Sequence, residues 1–330
     1  MSSDQKGPAV SRIAALLTRT VALIAAGTVA LLLVIAGASA AGAMVNCGCR
    51  TTTADQSMVF VRPVNGVKQV FKADQNLTHV TQLTFGTSDS FLPSMNTART
   101  VVAYTAMVNK HRAVMAMNAD GTNQHVVVAD NVNDYWAPSI SPDGTKAVIT
   151  SNRASGSELF VVTLSSGALT QLTHLNSAEG DNWAPAWSPN GQYIAFTSDR
   201  GNVVNIWLVP AGGGAAQRVT YDGGADDAAW SPNGQSIAYD FLAPGATLRE
   251  IYWADAFSVN VVHAVSTQDG FGHTDPTWSP DASSIAFTSA DSTGINVKVA
   301  GANGGNQHSV LNPGLQANWG FPIQGPVAQQ

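Results

Sequence analysis

Cysteine is nearly absent from this 330-residue chain. Its only two, Cys47 and Cys49, lie one residue apart near the N-terminus. That spacing is poorly suited to an unstrained mutual disulfide. Beyond residue 50 there is no thiol, which excludes a disulfide framework and a cysteine nucleophile from the rest of the chain. Charge is also scarce, at 12 % of residues. Lys6, Arg12, Arg19 and Arg50 against Asp4 give residues 1–50 a charge of +3, so in a chain of net −6 the remainder carries −9. An acidic body lacks the basic surface that phosphate recognition needs, which argues against nucleic acid as a partner. Neither G-x-S-x-G nor H-E-x-x-H occurs, so there is no sequence signal for a serine nucleophile elbow or a zincin site.

The one long uncharged run is residues 21–45, built mostly of Ala, Val, Leu, Ile and Gly. At about 1.5 Å per residue it is long enough to span a hydrocarbon core of roughly 30 Å. The basic residues before it place the N-terminus in the cytoplasm and the rest outside. Its length favours a retained anchor. Ala38-Ser39-Ala40 and Ala41-Gly42-Ala43 have the small-x-small pattern of a cleaved signal peptide. A lipoprotein site at Cys47 is the weaker reading, because Met44-Val45-Asn46 is not a small-residue context. Each topology exports the chain beyond residue 45, to the cell membrane exterior or the periplasm. The expected order is a basic tail (1–20), the anchor or signal (21–45), a polar stalk (46–57), one β domain (58–325) and a short tail (326–330).

What the chain does have is a repeat. Trp187-Ser188-Pro189-Asn190-Gly191 precedes YIAFTS, Trp230-Ser231-Pro232-Asn233-Gly234 precedes IAYD, and Trp278-Ser279-Pro280-Asp281 precedes IAFTS. Ile140-Ser141-Pro142-Asp143-Gly144 before AVITS is a worn copy. Met95, Ile140, Trp187, Trp230 and Trp278 share one register, 45, 47, 43 and 48 residues apart. A period of this length, carrying short β-branched strands and Pro-Asx-Gly turns, marks a β-propeller. The Trp187 copy divides into four strands: one ending at Trp187, then 193–198, 205–211 and 216–220. The chain starts its first repeat at a second strand (58–61). It ends with a surplus first strand near 318–323, where Asn318-Trp319-Gly320-Phe321 resembles Asn182-Trp183-Ala184-Pro185. The predicted fold is therefore an all-β, monomeric, six-bladed propeller of four-stranded blades, its first blade closed by the C-terminal strand.

The line P-x-W-S-P-[DN]-G, IAF-x-S and a closing L/V-T, best seen from Pro185 to Thr220, resembles the blade of TolB-type propellers over about residues 58–325. The same blade occurs in prolyl-oligopeptidase-type peptidases and oligogalacturonate lyases. The resemblance implies the fold and leaves the function open, because sites are grafted onto folds. TolB proper has an α/β domain before its propeller, where this sequence has the apolar segment and stalk. The peptidases append a hydrolase domain with G-x-S-x-G. The lyases use histidine clusters for a metal.

In such blades the SPDG and SPNG turns share one face with the third-to-fourth turns. The varied loops (ADNVNDYW, HLNSAEGDNW, YDGGADDA, STQDGFGHTD, NPGLQANWGF) share the other, where binding is expected. That face is expected to present Asp134, Tyr135, Trp136, Asp181, Trp183, Asp226, Asp227, His273, Asp275 and Trp319. Aromatic and acidic side chains suit recognition of a protein or peptide, or of a glycan. A structural role competes for each. The tryptophans recur at one repeat position, as inter-blade packing would require, and the aspartates can accept backbone N–H groups in turns. No cofactor is expected; Ca²⁺ held by carboxylates is the one ion in view, without any EF-hand spacing. Of seven histidines, only His174 and His273 fall in blade-to-blade loops, the sole candidates for metal or acid–base chemistry. The expected function is an envelope-tethered interaction module without catalysis. The alternative is a polysaccharide lyase or hydrolase built on His174, His273 and nearby carboxylates.

Overall fold

The structure is a computed structural model that describes residues 57–74, 79–154, 156–175, 179–258, 262–266, 269–291 and 294–311. The apolar segment 21–45, the stalk up to residue 56, Cys47, Cys49 and the expected closing strand at 318–323 with Trp319 lie outside them. Among the described residues no helix is long and apolar enough to cross a membrane.

Every sheet is antiparallel and runs in sequence order. Blade 1 has three described strands, Met58–Val64, Val67–Ala73 and Val80–Gln82. Blade 2 has four, Ser90–Met95, Val101–Val108, His111–Asn118 and His125–Val128. Blade 3 comprises Tyr135–Ile140, Lys146–Ser151, Glu158–Thr163 and Leu169–Gln171. Blade 4 comprises Asn182–Trp187, Tyr193–Ser198, Asn205–Pro210 and Gln217–Arg218. Blade 5 comprises Ala225–Trp230, Ser236–Phe241, Glu250–Asp255 and Val262–Ala264, and blade 6 Gly272–Trp278, Ser284–Asp291, Gly294–Gly301 and His308–Leu311. The register residues Met95, Ile140, Trp187, Trp230 and Trp278 each end a first strand, as the repeat predicts. The strand that would complete blade 1 lies outside the described residues.

The core consists of six clusters, one at each seam between neighbouring blades. Alternation along the strands divides each blade between two seams. In blade 4, Ile194 and Phe196 join Leu159 and Leu172 of blade 3, while Ala195 turns to Trp230 of blade 5. The last seam packs Ala286 and Val297 of blade 6 against Met58, Phe60 and Phe71 of blade 1. The six-bladed ring therefore closes through side-chain packing.

Local chemistry explains the repeat's signature. In the Ser-Pro-Asx-Gly turn, Ser188 Oγ donates to Asn190 Oδ1 at 2.8 Å and accepts the Tyr193 N–H at 2.9 Å. The Asn190 oxygen also accepts the Gln192 N–H at 3.0 Å. The turn's fourth residue needs a left-handed backbone, which Gly144, Gly191 and Gly234 adopt at φ of 73°, 74° and 69°. The closing threonine of the fourth strand has a similar duty. Thr84, Thr173 and Thr220 each accept a third-strand N–H at 2.9 Å, from Val70, Leu159 and Ile206.

First strands carry one irregularity. In blades 2 to 6 the pairing with the second strand slips between Phe91 and Ser94, Trp136 and Ser139, Trp183 and Ala186, Asp226 and Ala229, and Thr274 and Thr277. The residue inside each bulge has positive φ: Leu92, Ala137, Ala184, Asp227 and Asp275, between 46° and 53°. Bulges re-aim a side chain and are a common device beside functional sites. Here they lie in the innermost strands, near the loop-rich mouth of the channel.

Candidate functional site

The bulges of blades 5 and 6 bring Asp226, Asp227 and Asp275 together. Asp240, in the second strand of blade 5, completes a group of four carboxylates. One cation lies among them: Arg249 reaches Asp226 at 3.5 Å and forms a short ion pair with the buried Asp240. Trp183 of blade 4 joins from the other side, its Nε1–H donating to Asp226 Oδ1 at 2.9 Å.

Crowding governs the electrostatics of the group. Burial pushes the Asp227 carboxyl well above the ordinary aspartate range. Asp226, Asp240 and Asp275 add to the rise, and Arg249 opposes it. Asp275 is raised by burial and by Asp226, against hydrogen bonds from Thr274 and Thr288. Burial also raises Asp240, where Arg249 is the main opposing influence. Arg249 touches both Asp240 and Asp226. Asp227 forms no ion pair among the described residues, so burial and three neighbouring acids raise it against the more distant charge of Arg249 alone.

The remaining expected residues are elsewhere. Asp134 accepts the Arg112 N–H at 2.8 Å and stands 3.4 Å from His111 Nδ1. Asp181 accepts the Ser157 N–H at 2.6 Å. Asp89 does the same for Lys68 at 2.8 Å, so these aspartates cap the third strand of the preceding blade. Tyr135 is buried, with its hydroxyl on Asp130 Oδ2 at 2.7 Å. Trp136 lies under the Arg112 guanidinium, 5.3 Å from its ring centre.

His273 is fully buried on Phe287, with Nε2 3.3 Å from Asp269 Oδ1 and 3.8 Å from Glu250 Oε2. Lys298 holds the other Asp269 oxygen at 2.7 Å. His174 lines a groove of about 710 Å³ between blades 3 and 4 with Lys146 and Arg200. The two histidines are thus two blades apart and form no joint centre. Among the described residues, no three His, Cys, Asp or Glu side chains are arranged to hold a metal ion.

Sequence reasoning missed Asp240 and Arg249. A signal for Asp240 was present: it takes the threonine position of IAFTS in the copy that reads IAYD. Arg249 sits in the loop FLAPGATLRE, where no pattern marks it.

A family profile described as the TolB beta propeller domain matches residues 122–318. The chain is 31 % identical over 106 residues to the Tol-Pal system protein TolB of Gluconobacter oxydans, a stretch covering 32 % of this chain and 23 % of that protein. The match thus spans less than a quarter of the curated relative. Among solved structures, TolB from Acinetobacter baumannii superposes with a TM-score of 0.67 at 18 % identity, over 80 % of this chain and 65 % of that one. A putative TolB from Agrobacterium tumefaciens gives 0.62 at 16 %, over 81 % and 93 %. An oligogalacturonate lyase in complex with manganese gives 0.57 at 18 %, over 78 % and 74 %. At these identities the structural likenesses establish the fold alone.

Proposed function

The chain belongs to the TolB beta propeller domain family, and we propose that it is an exported interaction module without catalysis, which holds a protein or peptide partner on its loop-rich face. The observation that carries this reading is the contrast between the two faces. On the turn face, Ser141, Asp143, Ser188, Asn190, Ser279 and Asp281 spend their polar atoms within their own turns. The loop-rich face exposes the large apolar side chains Phe85, Val132, Val203, Tyr221 and Leu248, against Phe257 alone among the described turn-face connections. Exposed apolar area on a face that also carries more carboxylates than cations favours a protein partner over a glycan. In this reading Trp183, Asp226, Asp227 and Asp275 meet the partner, and Asp134 and Asp181 hold the loops in place. Residues 21–45 supply the export signal or tether. The separation of His174 from His273 weighs against the lyase or hydrolase alternative.

The test starts from the full-length protein as bait in an envelope extract, with the captured partner identified and purified. Its affinity is then measured against two sets of variants. Phe85→Ser with Tyr221→Ser alters the loop-rich face, and Gln192→Ala with Gln235→Ala alters exposed positions of the turn face. The loop variants should lose affinity tenfold or more while the turn variants match the parent. Equal loss in both, or loss in the turn variants alone, would overturn the assignment of the face.

A further inference from the structure

The seam between blades 3 and 4 opens outward into the groove of about 710 Å³ that His174 lines. Its apolar lining, Val161, Leu172, Val209 and Ala216, belongs to the cluster at that seam or packs against it. On the blade 4 side the wall ends in Gly212, Gly213 and Gly214, which bring no side chain into the space. A Cβ at Gly212 would meet nothing within 4 Å, and one at Gly213 only Leu172 Cδ1 at 4.0 Å. The groove runs the height of the blade. Lys146 pairs with Thr163 at the turn-face end, whereas His174 follows Gln171, the partner of Phe160, toward the loop-rich end. At about 3.3 Å per residue the two ends lie roughly 15–20 Å apart. Arg200, just after the second strand of blade 4, stands at the loop-rich end with His174.

Charge sets this groove apart. Lys146, His174 and Arg200 line it, and no aspartate or glutamate does. None of the three is in an ion pair among the described residues. Arg200 is half-buried and lies over the Trp207 ring, 4.4 Å from its centre. It gives its Nε–H to Ser198 Oγ at 3.0 Å and an Nη2–H to Asn182 Oδ1 at 2.8 Å, both neutral acceptors. Glu158 and Glu179 act on it only from beyond ion-pair distance. Glu158 is committed to Thr173, Leu175 and Asn182, and Asp199 to the Asp181 N–H. At the other end Asp143 serves its own turn. The groove between blades 1 and 2 is the control. Its volume is nearly the same, about 690 Å³, but Lys72 and His79 share it with Asp74 and Asp120, and His79 stands 2.8 Å from Asp74. In a body of net −9, a groove lined by bases alone is an exception. A guanidinium partly withdrawn from water finds its strongest partner in a carboxylate.

We propose that the groove between blades 3 and 4 binds an extended acidic segment of a partner protein, with a carboxylate toward each end and an apolar side chain between them. The site is separate from the loop-rich face and does not depend on the reading given for that face. In an extended chain residues i, i+2 and i+4 point to one side, and i to i+4 spans about 13 Å. Carboxylates at i and i+4 then come within reach of the long side chains of Lys146 and Arg200, while residue i+2 meets the apolar lining. This chain does not supply the segment itself. Residues 312–330 contain no acid, and residues 1–56 contain only Asp4 and Asp55. A polyanionic glycan, charged at every sugar, would set carboxylates over Val161 and Leu172, where nothing offsets them.

The experiment titrates full-length protein by calorimetry at low salt with the peptide acetyl-Glu-Ser-Val-Ser-Glu-amide. The same peptide with Gln or with Lys in place of both Glu residues reports on charge, and a galacturonate trisaccharide stands for an anionic glycan. The acidic peptide should bind saturably, at least tenfold more tightly than the other three probes. Arg200→Gln should weaken it tenfold or more, and Lys146→Gln, at an exposed position, about threefold. Thr170→Trp leaves every charge in place. Thr170 is exposed, pairs across from Val161 and points to the same side, so a β-favouring tryptophan there should fill the groove and abolish binding. Lys110→Gln removes an exposed charge outside the groove and should bind as the parent does. No saturable binding, equal binding of the Gln peptide or the trisaccharide, or parental affinity in Lys146→Gln or in Thr170→Trp would each overturn the proposal. So would a dimer of the protein that Lys146→Gln dissociates, since the groove would then belong to a second copy.

Discussion

A single turn position shows how closely residue identity tracks backbone demand. Blade 6 reads Ser279-Pro280-Asp281-Ala282 where blades 3 to 5 have glycine, and Ala282 is held at φ 58°. The turn forms regardless: Ala282 donates its N–H to the Ser279 carbonyl at 2.9 Å, as Gly144 does to Ser141 at 2.8 Å. A left-handed backbone costs a residue with a Cβ about 1–2 kcal/mol. Glycine gives back part of that gain through its freer unfolded chain. Ala282→Gly should therefore stabilise the protein by about 0.5–1 kcal/mol, measured as a rise in the urea midpoint at constant slope. A lower midpoint would mean that the turn is not strained at this position. This turn was legible in the sequence, because Ser, Pro, Asx and Gly each have one duty at a fixed spacing. Asp134 and Asp181 were legible only as a pair of alternatives. An aspartate ahead of a strand can cap a backbone or face a ligand, and only the Arg112 and Ser157 N–H groups reveal the capping.

At the level of the element, the first strands of blades 2 to 6 each carry a bulge at one repeat position, and the residue standing there sets the local charge. Strand order, register and seams were legible in the 43 to 48-residue spacing of the Trp position and in period-2 alternation. The bulge was not, since the last four residues of Tyr135–Ile140 and of Asn182–Trp187 are all buried and leave no alternation for an extra residue to break. Asp226 and Asp227 were visible as loop acids, whereas their grouping with Asp240 and Arg249 depends on that bulge and on the fold of the blade. The consequence can be measured through pH. A carboxyl whose folded value is raised holds its proton more tightly folded than unfolded. Its stabilising share is complete below the unfolded value of about 4 and is lost as pH rises through the folded value. Asp227, Asp240 and Asp275 are all raised, so the native protein should lose stability as pH climbs above about 4. Asp227→Ala should flatten that slope. It should stabilise the protein by about 1–3 kcal/mol at pH 8 and by close to nothing at pH 4. Urea unfolding at pH 4, 6 and 8 provides the comparison. A destabilised Asp227→Ala at pH 8 would show the carboxylate to be fully compensated.

For the whole molecule the question is how the ring closes. Five blades have four described strands and blade 1 has three, and the sixth seam packs Phe60 and Phe71 against Val297. A hydroxyl in blade 6 bears on the strand expected at 318–323. Ser94 Oγ accepts the N–H of Ile140 at 3.1 Å, and Ser139 Oγ that of Trp187 at 2.9 Å, each the register residue of the next blade. Thr277 holds the same repeat position in blade 6, is fully buried, and has no hydrogen-bond partner among the described residues. In the register of the repeat its donor would be the N–H of Ile323. Two substitutions test this together. Removing the last fifteen residues should lower the thermal midpoint by at least about 5 °C and promote aggregation, because an inner edge is left unpaired. Thr277→Val should cost about 1–2 kcal/mol in the full chain, where it would orphan a buried N–H. In the shortened chain the same change should be neutral or stabilising, since there the hydroxyl has nothing to receive. A shortened protein that melts like the parent, or a Thr277→Val effect that is the same in both chains, would rule out closure by the C-terminal strand.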